Sequence, residues 1–132
     1  MAIVVGFVPT AQGRAALRAA AAEAEKQNLP LSVVNSNEGR SHWDPEQAEQ
    51  LKTEFEAIEE RLEAAGIRPS MRILARGNEP VEDIIAVAEE VDASLIVIGL
   101  RRRSPVGKLL LGSNAQRLLL EADCPVLAVK AD

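Results

Sequence analysis

Aromatic and sulfur chemistry is nearly missing from this sequence: it has no tyrosine, and His42, Trp43 and Cys124 are the single residues of their types. One cysteine cannot close an internal disulfide, and with one histidine it cannot build a zinc site of the usual ligand count, so no metal is expected. Long apolar runs are lacking too. None approaches the roughly 20 residues that cross a bilayer, and the opening MAIVVGFVPT has neither the basic start nor the long apolar stretch of a secretory signal. The expected location is the cytoplasm, with no membrane partner. Repeats, low-complexity tracts and linkers are also absent, which leaves one domain over residues 1–132.

What the chain has in quantity is aliphatic. Its 47% hydrophobic content comes almost wholly from Ala, Val, Leu and Ile, the composition of alanine-rich helices laid on strands of branched residues. The net charge of −5 is unevenly spread. Residues 44–66 hold eight acids against Lys52 and Arg61, whereas Arg101, Arg102, Arg103 and Lys108 place four positive charges within eight positions. A local basic cluster on an acidic chain fits an anion contact or a solvated loop. A nucleic-acid binder shows a broader basic face, so no nucleic-acid partner is expected.

Periodicity divides the chain into alternating elements. Ala2 to Val8 is apolar without alternation, as in a strand covered on both faces. Gln12 to Asn28 has helical spacing and closes at Asn28-Leu29-Pro30. Leu31 to Val34 reads as a second strand, followed by a polar loop in which His42 and Trp43 are loop residues. Asp44 and Pro45 open a helix whose Ala48, Leu51, Phe55, Ile58, Leu62 and Ala65 form one stripe ending at Gly66. Met71 to Leu74 is a short strand, and its Arg72 suits a sheet edge. Pro80 begins a third helix with Val81, Ile84, Ile85 and Ala88 on its apolar face, and Ala93 to Gly99 is a second central strand. Gly112-Ser113 starts a fourth helix with Ala115, Leu118, Leu119 and Ala122 on one side, and Pro125 to Val129 closes the chain as a strand. Strict β-α alternation requires a doubly wound α/β fold with a five-stranded parallel sheet and helices on both faces.

Ligands of such sheets gather beyond the strands' carboxyl ends. That places Val8-Pro9-Thr10 beside Gly99 and the loop after it, and Gly112-Ser113 at a helix start can hold a phosphate with free amides. Two familiar phosphate loops are excluded. Gly107-Lys108 has Arg102 where a P-loop needs its first glycine and Leu109 where it needs Ser or Thr, and no Gly-x-Gly-x-x-Gly follows the first strand.

The first strand, Gly77-Asn78-Glu79-Pro80, the run Leu95 to Gly99, the stretch Leu109 to Ser113 and the closing Cys124 to Val129 together resemble the universal stress protein family along essentially the whole chain. The resemblance implies a Rossmann-like (HUP-like) sheet of order 3-2-1-4-5, a stress-response role without catalysis, a homodimer joined through the last strand, and a site for ATP or another adenine nucleotide. ATP-binding members carry Gly, two residues, Gly, nine residues, then Gly and Ser or Thr. Gly99 and Gly112-Ser113 match, with Asn114 next in line, but the middle glycine is Arg102, and the aspartate that usually follows the first strand is here Val8. Arg102 either fills the phosphate pocket or clamps a phosphate with its guanidinium, and Arg101, Arg103 and Lys108 are candidate anion contacts beside it.

Three functions are weighed: a nucleotide-holding regulatory module, a stress protein acting through contacts with an unidentified protein partner and no nucleotide, and, least favoured, a weak ATPase lacking a strand-tip acid for magnesium. Independently of the resemblance, Val126, Leu127, Ala128 and Val129 form an apolar edge with only Lys130 to blunt it, which predicts pairing, and Val129→Lys is expected to give monomers. Cys124 is expected in core packing.

Overall fold

A computed structural model describes residues 1–37, 44–101 and 112–131. His42, Trp43, Arg102, Arg103 and Lys108 lie outside the described residues. The elements run β1 (Ala2–Gly6), α1 (Ala11–Gln27), β2 (Leu31–Ser36), α2 (Pro45–Ala64), β3 (Pro69–Leu74), α3 (Pro80–Glu90), β4 (Ala93–Leu100), α4 (Ser113–Glu121) and β5 (Val126–Lys130). All four strand pairings are parallel and the sheet order is β3-β2-β1-β4-β5, as the resemblance implied.

The unbroken apolar character of β1 and β4 has a direct cause. Successive side chains of a strand point to opposite faces, and both faces here are covered. Ile3, Val5 and Phe7 join one core with Leu17 and Ala20 of α1 and Leu51, Phe55, Ile58 and Leu62 of α2. Val4 joins the other with Val34, Ile96, Ile98, Val81 and Ile84 of α3, and Ala115 and Leu118 of α4. Phe7 and Phe55 meet edge to face with ring centroids 5.6 Å apart, a contact of about 1 kcal/mol beyond its buried area.

Helix boundaries follow from local chemistry. Thr10 accepts the amide hydrogen bond of Gly13 at 3.2 Å and so caps α1, while Asn28 ends it in the left-handed conformation at φ 53°. Asp44 caps α2 by accepting from the Glu46 amide at 3.0 Å, with Pro45 at the first helical position. Gly66 follows α2 at φ 80°, where a side chain is disfavoured.

Two sequence expectations, for Ala65 and Leu119, are corrected. Ala65 is exposed, because it is the C-cap of α2 and the stripe passes to Ile67. On α3 the named Val81, Ile84, Ile85 and Ala88 all meet the core, and Val87 joins them as a further buried residue. Leu119 is an exposed large apolar residue, since Ala115 and Leu118 already define the inward face of the short α4. Cys124, expected in core packing, does pack against the α3–α4 core while only partly buried, and burial and neighbouring Asp123 raise its thiol pKa.

Candidate functional site at the carboxyl rim

Helices α1 and α2 cover one sheet face and α3 and α4 the other. The connections therefore diverge between β1 and β4, where an open α/β sheet forms a crevice. A cavity of about 230 Å³ lies there. Its lining brings together Val8 after β1, Gly99 of β4, Arg101, and Gly112, Ser113 and Asn114 at the start of α4. Val8 at the end of the first strand thus shares one cavity with residues 91 or more positions further along the chain, Gly99 and the start of α4, as expected from the strand order.

Each contributor has a local reason for its place. A Cβ added to Gly99 would fall 2.4 Å from the Gln12 carbonyl oxygen, so glycine is what lets the end of β4 pass beneath the first turn of α1. Gly13 is constrained harder still, since its Cβ would meet the Val8 carbonyl oxygen at 1.9 Å; the turn from β1 into α1 curls back on itself. Gly112 is the N-cap of α4 at φ −67° and supplies no side-chain cap. The amides of the first turn are thereby left without a capping side chain and with the positive end of the helix dipole. Arg101 is the one charged side chain in the described lining, and Val8, 43% exposed, brings an apolar surface to it.

Sequence reasoning missed Phe7, Gln12 and Ser36, which also line the cavity. It also missed a buried acid behind it. Asp83 of α3 is 0% exposed and accepts from Ser36 Oγ at 2.6 Å, Arg76 Nη2 at 2.7 Å and Asn78 Nδ2 at 3.1 Å. Burial alone would raise its pKa, but the hydrogen bonds from Ser36, Asn78 and Arg76 and the guanidinium charge outweigh it and hold the carboxyl below its ordinary value. Spacing was a signal for Ser36, though not for Asp83. Ser36 stands two residues beyond Val34 and so on the same sheet face, toward α3. On the opposite face, buried Asn35 donates from Nδ2 to the Phe7 carbonyl at 2.9 Å and fixes the tip of β1 against β2.

Against the models of known families, residues 1–130 match that of the universal stress protein family. The chain belongs to that family. A universal stress protein of Mycolicibacterium smegmatis is 41% identical over 128 residues, an alignment covering 97% of this chain and 96% of that one. The structure of a universal stress protein from Archaeoglobus fulgidus superposes with a TM-score of 0.83 at 37% identity, covering 98% of each chain. A second Archaeoglobus fulgidus structure, of the universal stress protein in complex with dAMP, has a TM-score of 0.78 at 33% identity and again covers 98% of each chain.

Proposed function

We propose that this universal stress protein is a single-domain, non-catalytic stress-response module, spanning residues 1–132, that holds ATP or a related adenine nucleotide in the rim cavity. The observation that carries this reading is the convergence of Gly99, Arg101 and the uncapped amide end of α4, including Gly112, Ser113 and Asn114, on one cavity. The relative 33% identical to this chain, whose structure is in complex with dAMP, supports an adenine nucleotide as the occupant. The amides and Arg101 take the phosphate, and the apolar wall takes the base. Arg102 and Arg103, with Lys108, are proposed to add positive charge to the phosphate end.

The described lining supports holding rather than hydrolysis. Its only charged side chain is cationic, and hydrolysis with magnesium calls for an acid beside the phosphates. The module is proposed to work in the cytoplasm as a homodimer joined along β5 through Val126, Leu127, Ala128 and Val129. Among the described residues no helix is long and apolar enough to cross a membrane.

One observation favours the second reading, a stress protein that acts through protein contacts alone: the backbone of α1 accounts for Gly99 without any ligand. Calorimetric titration with ATP and with cyclic AMP separates the two. A saturable heat in the micromolar to millimolar range is expected, and no heat at millimolar ligand overturns the nucleotide reading.

A further inference from the structure

Resting on the nucleotide reading, we propose that Ser36 is a specificity-determining residue, fixed by Asp83 as a hydrogen-bond acceptor toward the cavity, and that it selects a base carrying an exocyclic amine.

A serine hydroxyl has one hydrogen to give and two lone pairs to offer. Here the hydrogen is committed. Asp83 is wholly buried, and its Oδ1 receives both Arg76 and Asn78 while its Oδ2 receives Ser36. Paired with the Arg76 guanidinium at 2.7 Å, Asp83 is held as a carboxylate; a carboxylate can only accept, so the hydroxyl hydrogen of Ser36 points at Asp83 Oδ2. What Ser36 retains for a ligand is lone-pair density.

Its place in the cavity says which part of the ligand meets it. The strand tips along the rim come in the order β2, β1, β4, so Ser36 stands two strand spacings, about 10 Å, from Gly99 and the phosphate end. Between them the wall is apolar, with Val34, Val81 and Ile98, a surface for a flat ring. Ser36 is the one polar side chain that β2 and α3 contribute to that lining, the others being Val34, Pro80, Val81 and Ile84. Among the described side chains of β2 and α3, a ring held at this end meets an acceptor and no donor, which favours an amine and disfavours a bare ring nitrogen or a carbonyl at the same position.

Asp83 is the positioning residue, and its exchange for asparagine inverts the arrangement. The carboxamide oxygen keeps Arg76 and Asn78, the amide nitrogen donates to Ser36, and the hydroxyl hydrogen is released toward the cavity. The probes are AMP and purine riboside 5′-monophosphate, which lacks only the exocyclic amine, titrated calorimetrically into the full chain. The native protein should bind AMP about tenfold more tightly, the weight of one hydrogen bond. Ser36→Ala should bind the two within about twofold, Ser36→Thr should keep the tenfold preference, and Asp83→Asn should lose or invert it. The ratio of affinities is a readout that a purely structural role of Asp83 would not change. If Asp83→Asn does not fold, the Ser36 pair still decides. A tenfold preference surviving in Ser36→Ala, or equal binding by the native chain, overturns the inference while leaving nucleotide binding intact. Heat from neither probe overturns the nucleotide reading, and this inference with it.

Discussion

At the scale of single residues, the burial of Asp83 has consequences for stability as well as for the cavity. A carboxylate without solvent persists because Ser36, Arg76 and Asn78 replace its hydration. Arg76 is itself 52% exposed, so solvent shares its charge and the ion pair is not a sealed one. The folded carboxyl titrates below its ordinary value, so its stabilisation is fully present above the unfolded pKa of about 4 and is lost as pH falls through the lower folded value. Asp83→Asn should therefore cost about 2 kcal/mol near neutrality, with the difference from the native chain shrinking as pH drops below about 4. Urea unfolding across that range measures it, and a difference that stays constant with pH would contradict the assignment. This acid was not legible in the sequence. Glu82 and Asp83 both sit in the first turn of α3, where an acid is favoured by the helix dipole whether buried or not. The partner that distinguishes Asp83, Ser36, is 47 positions away.

At the scale of elements, periodicity told more than residue type. The stripe Leu51, Phe55, Ile58 and Leu62 is buried as read, because one helix face must meet one sheet face. Strand ends were less visible: β2 continues through Asn35 and Ser36, whose polarity reads as a loop until Phe7 and Asp83 are seen to satisfy it. Arg72 was a sound sign of an edge, and it pairs with Glu90 of α3. At the other edge, Val129 packs against the core on the α1 side, whereas Leu127 is 40% exposed. The test of the proposed β5 pairing therefore moves from Val129 to Leu127, where a charge does not disturb the core. Leu127→Lys should elute and sediment as a monomer with unchanged thermal unfolding at high dilution, and a variant that remains dimeric would count against this edge.

At the scale of the whole molecule, the position of the cavity follows from topology. Alternating strands and helices dictated parallel pairing, and the two unbroken apolar strands, β1 and β4, marked the centre, where the crossovers part to opposite faces. The cavity's location could be read from that pattern, as could six of its lining residues: Val8, Gly99, Arg101, Gly112, Ser113 and Asn114. Its far wall could not, because which side chains of β2 and α3 reach the rim depends on register across the sheet. The most direct test of the central claim is an ATP titration followed at individual backbone amides by heteronuclear NMR. The account predicts saturable shifts centred on Gly99, Arg101, Ser113, Asn114 and Ser36. Shifts confined instead to the groove between α1 and α2, around Arg18 and Arg61, or no shifts at millimolar ATP, would contradict it.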